Sequence, residues 1–116
     1  MNFKYRFYDW HDTLLADIKP NPYIKGKYEL LNTALDTDIR DCEEYIEYIS
    51  DILSGKSKAE DIGGDITAIE CDKEKTVITW EAGSNDAVCE LPTWLFKEIV
   101  EVWIKAAKEY RRRKRG

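Results

Sequence analysis

The stretch DITAIECDKEKTVITWEAGSNDAVCEL, residues 65–91, decides the fold. It holds three short β-prone runs, Asp65 to Cys71, Thr76 to Glu81 and Ala87 to Leu91, divided by Asp72-Lys-Glu-Lys and Gly83-Ser-Asn-Asp86. Asp, Asn, Ser and Gly bond to or permit tight turns, so such runs with such punctuation predict an antiparallel β-meander. Pro92 and Thr93 then open a long helix in which Leu95, Phe96, Ile99, Trp103, Ala106 and Tyr110 share one face. The same wheel turns Trp94 outward, beside Glu98, Glu101 and Lys105.

Upstream of the meander, Ile39, Cys42, Ile46, Ile49 and Leu53 recur at spacings of three and four. This predicts an amphipathic helix from Asp38 to Leu53, with Asp36 or Thr37 as N-cap and Gly55 just past its end. The opposite face of that helix collects Glu43, Glu44, Glu47 and Asp51, with Tyr48 at its border and Arg40 as its one base. A polar linker, Lys56 to Gly64, joins the helix to the meander. At the N-terminus Phe3, Tyr5 and Phe7 alternate with Lys4, Arg6 and Tyr8, the period of an opening strand. Leu14, Leu15 and Ile18 suggest a short helical turn ended by Pro20 and Pro22, and Tyr28 to Leu35 fits a strand or a helix. The chain of 116 residues is expected to form one domain of α+β class. Its expected architecture is an antiparallel sheet of three to five strands, the N-terminal strand among them, covered on one face by two long helices.

Charge is distributed unevenly. Residues 36–90 hold 16 Asp and Glu against 5 Lys and Arg, whereas residues 91–116 hold 8 basic against 3 acidic. The net charge of -5 therefore hides a strong dipole. An acidic block of this size repels phosphate surfaces and speeds encounter with a basic partner. Arg111 to Arg115 at the helix end favourably meet the macrodipole and lack interleaved aromatics, so the tail 111–116 reads as frayed rather than as a nucleic-acid site.

No apolar run reaches the roughly 20 residues of a membrane span, and the N-terminus lacks the apolar core of a signal peptide. Cys42, Cys71 and Cys89 are odd in number and widely spaced, so they read as reduced thiols in a soluble, cytoplasmic protein. Cys42 and one strand cysteine are expected to be buried.

Catalytic and metal patterns fail on inspection. His11 is the single histidine and stands in no nucleophile or zinc motif, so it reads as a surface residue. Asp36-Thr-Asp38 with Glu47 imitates a calcium loop, but Arg40 takes a ligand position and Asp41 stands where the turn needs Gly. Gly63-Gly64 precedes a strand rather than a helix, and reads as a turn instead of a phosphate cradle.

One ordering remains across residues 28–110: Asp41-Cys-Glu-Glu-Tyr-Ile-Glu-Tyr-Ile, then Ala68-Ile-Glu-Cys-Asp with Thr76-Val-Ile-Thr-Trp, then Leu91-Pro-Thr-Trp-Leu-Phe-Lys-Glu-Ile-Val-Glu-Val-Trp. In this it resembles small bacterial immunity proteins encoded beside contact-dependent growth inhibition and other polymorphic toxins. The resemblance implies a cytoplasmic inhibitor, not an enzyme, that binds a cognate toxin tightly and covers its active site. Many such toxins are nucleases with basic clefts, where an acidic helix would replace the phosphate backbone. Glu43, Glu44, Glu47 and Asp51 would then make the charge contacts and Tyr48 the apolar one. No cofactor, metal, membrane or direct nucleic-acid contact is expected. The alternative is a small acidic adaptor, or a nucleic-acid-mimicking regulator, that binds a host enzyme.

Overall fold

A computed structural model describes residues 2–81 and 87–115, all but the side chain of Arg115 among them. The Gly83-Ser-Asn-Asp86 turn lies outside the described residues. The chain is α+β, as the sequence predicts, and the meander stands: β5 (Thr67–Cys71), β6 (Lys75–Trp80) and β7 (Val88–Pro92) pair antiparallel. Two-residue strands extend it on both sides, β3 (Lys25–Gly26) on β7 and β4 (Glu60–Asp61) on β5, giving the order β3-β7-β6-β5-β4. Within the segment expected to be linker, β4 is thus an edge strand. Thr67, Ile69 and Cys71 of β5, Thr76 and Ile78 of β6, and Cys89 and Leu91 of β7 are buried on the covered face.

The N-terminal strand does not join this sheet. β1 (Tyr5–Trp10) pairs with β2 (Thr13–Ile18) in a separate two-stranded ribbon, so Leu14, Leu15 and Ile18 lie in a strand and not in a helical turn. The reversal is a two-residue turn with His11 and Asp12 both left-handed, at φ 50 and 64. Both angles suit the twist of a hairpin, and Asp and His are among the few non-glycine residues that tolerate them. Ala16 and Ile18 point inward and are buried.

The expectation of two long helices is met in part: among the described residues there are three helices of unequal length, of which one is long. Tyr28 to Leu35, ambiguous by periodicity, is helical: α1 (Tyr28–Thr33) runs on into a π-helical segment, Ala34–Ile39. Leu30, Leu31, Ala34, Leu35 and Ile39 are wholly buried. This segment lies between the ribbon and the large sheet, touching β2 as well as β6 and β7. Its polar side chains close the outer edge of β2, where Asn32 Oδ1 accepts from the Ile18 amide at 2.8 Å and Asp36 Oδ2 from the Ala16 amide at 3.3 Å.

The second helix begins later than periodicity implies. Arg40, at φ 50 and ψ -125, breaks the chain after the π segment, and α2 covers only Glu44–Ser54, ending at Gly55 with φ 82. Neither Asp36 nor Thr37 caps it. Thr37 Oγ1 instead donates back to the Thr33 carbonyl at 2.6 Å, and Asp36 serves β2. Cys42 sits in the break and is half-buried, unlike buried Cys71 and Cys89.

The long helix is α3 (Thr93–Arg115): Leu95, Phe96, Ile99 and Trp103 are buried and Trp94 exposed, as its wheel predicts, whereas Val100 and Ile104 are buried as well and the predicted Ala106 and Tyr110 are only half-buried. It contacts β6, β7 and β2, while α2 lies against α3 instead of covering the sheet. The basic run expected to fray continues this helix through Arg115. Trp103 meets the Phe7 ring edge-on at 5.0 Å, tying ribbon to helix.

Candidate functional site

The break at Arg40 aims α2. Just before it, the Asp38 carboxylate accepts from the Thr67 amide at 2.7 Å, from the Thr67 hydroxyl, and from the Ile66 amide at 3.2 Å. That clamp fixes the end of the π segment to the start of β5, and α2 leaves from it alongside the β4 edge. Ile49 and Ile52 bury the inner face of α2.

On the outer face the predicted residues separate. Glu44, Glu47, Tyr48 and Asp51 follow one another at helical spacing along α2. The Tyr48 hydroxyl donates to Glu44 Oε2 at 2.9 Å, and its ring stays 40% exposed with the Tyr45 ring edge-on at 5.9 Å. The bond to Glu44 raises the Tyr48 phenol above its ordinary pKa, because the carboxylate favours the protonated hydroxyl. Glu43 is diverted to an ion pair with Lys108 of α3, and its neighbour Asp41 to one with Arg111. The near end of the stripe is therefore met by the basic end of the chain.

Across from Tyr48 stands a second acidic wall that periodicity did not reveal. Glu60 and Asp61 of β4, with Ile62 and Gly63, face Cys42, Glu44, Tyr45 and Tyr48 across an open groove of about 530 Å³. Asp61 also accepts from the Gly63 amide at 2.9 Å, which fixes the bend after β4. Two adjacent acids in a polar linker carry no local sign that they will form an edge strand, since their partners Cys71 and Glu70 are eleven and nine residues on.

Much of the acidic excess has structural work. Asp36 and Asp38 bond to backbone amides, Asp72 accepts from Glu74 and Lys75 amides at 2.8 Å in the β5–β6 turn, and Glu90 pairs with Lys75. Glu44 and Glu47 also stand in the first turn of α2, where the macrodipole favours anions. Of the acids that line the groove, Glu44 is bonded to Tyr48 and Asp61 to the Gly63 and Ile69 amides, with Glu60 beside them.

The other candidates stand apart. His11 lies exposed in the ribbon turn against the Trp10 ring. Cys71 and Cys89 have thiol pKa values pushed up to about 11 by burial, so both are held as neutral thiols. Among the described residues no three His, Cys, Asp or Glu side chains gather to hold a metal ion, and no helix is long and apolar enough to cross a membrane. Comparison with protein-family models, curated proteins and solved structures finds no match to this chain.

Proposed function

We propose that the chain is a bacterial immunity protein that binds and neutralises a cognate protein toxin through the exposed acidic face of α2. One observation carries the reading: a solvent-facing tyrosine, Tyr48, stands within a row of carboxylates and opposite a second acidic wall across a groove. Aromatic residues supply contact area at low entropic cost, and surrounding charge sets orientation and encounter rate. A basic substrate cleft, such as that of a nuclease toxin, has the complementary character. Glu44, Glu47, Asp51 and Tyr48 form the contact surface, with Glu60 and Asp61 beside it. Glu43 is at the margin, already partnered by Lys108.

In this role the protein acts stoichiometrically in the cytoplasm, as an inhibitor and not as an enzyme. It needs no cofactor and makes no direct contact with nucleic acid or membrane. The test is a pull-down from the native host at low and at moderate salt, with bound proteins identified by mass spectrometry. Retention of a basic toxin domain at moderate salt supports the proposal. Recovery of a host enzyme instead supports the adaptor alternative, and loss of every partner as salt rises leaves the acidic face as solvated surface.

A further inference from the structure

The N-terminal ribbon has one edge closed and one open. On β2, Asn32 and Asp36 accept from the outward Ile18 and Ala16 amides. On β1 the Lys19 amide donates to the Lys4 carbonyl at 2.9 Å, which places Lys4 and, by alternation, Arg6, Tyr8 and Trp10 in hydrogen-bonded pairs with β2. The backbone groups of Tyr5, Phe7 and Asp9 therefore point the other way, and among the described residues none of them bonds to a neighbouring segment. Open edges are commonly blunted by making them short, as β3 and β4 are, yet β1 is six residues long. Its outer face carries Trp10, 58% exposed.

We propose that β1 is a self-association edge, pairing antiparallel with β1 of a second copy about a two-fold axis through Phe7. Phe7 then faces Phe7 and Tyr5 faces Asp9, giving about six backbone hydrogen bonds from groups that already point outward. The side chains select this register. On the outer face Lys4 meets Trp10 of the second copy and Arg6 meets Tyr8, cation against aromatic ring in each pair. Arg6 already lies over Tyr8 of its own strand, 4.8 Å from the ring centroid. On the inner face Tyr5 meets Asp9, whose carboxylate already accepts from the Tyr110 hydroxyl of its own chain and has its second oxygen left for the Tyr5 hydroxyl. An axis at Arg6 would set Arg6 against Arg6, and an axis at Tyr8 would run Tyr5 into the His11 turn and forfeit bonds. The result is a four-stranded ribbon, β2-β1-β1-β2, none of whose residues line the acidic groove. This inference is independent of the toxin reading.

Sedimentation velocity on the full chain, from about 1 to about 100 µM, tests it. A monomer–dimer equilibrium is expected within that range. Trp10→Lys places Lys opposite Lys4 and should weaken association about ten-fold or more, whereas Lys4→Trp with Trp10→Lys exchanges the two partners and should restore it. Both positions are exposed, and thermal transitions matching the parent establish that the variants fold. A parent that stays monomeric throughout overturns the proposal. So does a Trp10→Lys variant that associates like the parent, or an exchanged variant as weak as Trp10→Lys.

Discussion

Replacing Asp36 by Asn should stabilise the protein at neutral pH and leave it unchanged in acid. Burial between the π segment and β2 is the main influence on this carboxyl and raises its pKa from 3.8 to about 6, against the opposing bond from the Ala16 amide. A shift of about two units is worth up to about 3 kcal/mol at 1.36 kcal/mol per unit, but the group is only half-buried and solvent screening cuts this to about 1 kcal/mol. The sign follows from linkage. The folded state holds the proton more tightly than the unfolded state, so this group costs nothing below about pH 4. Its penalty grows as pH rises from about 4 to about 6 and is complete above that. Asn keeps an oxygen for the Ala16 amide and never ionises. Urea denaturation of both proteins at pH 4, 5, 6 and 7.5 should therefore give curves that coincide at the acid end and diverge by about 1 kcal/mol above pH 6, with Asn the more stable. A pH-independent difference, or a less stable Asn variant at pH 7.5, would refute the reasoning. Asp36→Ala supplies the contrast: it removes the acceptor along with the charge, leaves the Ala16 amide unpaired and forfeits the gain.

Three further outcomes are expected. Gly26→Ala places a Cβ 2.0 Å from the Val88 carbonyl oxygen at φ 91. It should force β3 away from β7 and cost about 2 kcal/mol or more, read as a lower thermal midpoint. At Arg40 the positive φ is strained for any residue with a Cβ, so Arg40→Gly should be about 1 kcal/mol more stable than Arg40→Ala in the same denaturation assay. An aromatic disulfide reagent at pH 7.5 should modify half-buried Cys42 first, with Cys71 and Cys89 protected until the protein unfolds. Equal rates at all three in the native protein would contradict their placement.

What the sequence displays and what it hides divide along physical lines. The meander is legible because its first turn is spelled locally: Asp72 both marks the β5–β6 turn and makes its hydrogen bonds. The long helix is legible because one continuous apolar stripe matches one straight segment, and Trp94 accordingly faces outward. Periodicity misleads where the backbone changes course beneath it. Ile39 and Cys42 extend the spacing of Ile46, Ile49 and Leu53 back across Arg40, yet they belong to the π segment and the break. A hairpin turn without glycine, His11-Asp12, concealed β2, and adjacent Leu14 and Leu15 mimicked a helix. At the site, the α2 stripe follows from the wheel alone. Pairing of Glu43 with Lys108, and the facing of Glu60 and Asp61 toward Tyr48, depend on tertiary approach that no local pattern encodes.

The measurement closest to the central proposal is titration of the captured partner against the parent protein and against Glu44→Gln, Glu47→Gln, Tyr48→Ala and Asp51→Asn combined, at about 50 and about 200 mM salt. These side chains lie on the outer face of α2, so the variant should unfold like the parent. The expected result is a loss of at least about 3 kcal/mol of binding free energy, roughly a hundred-fold in Kd, with a flatter dependence on salt. Undiminished affinity and an unchanged salt dependence in a folded variant would contradict the assignment of this face as the inhibitory surface.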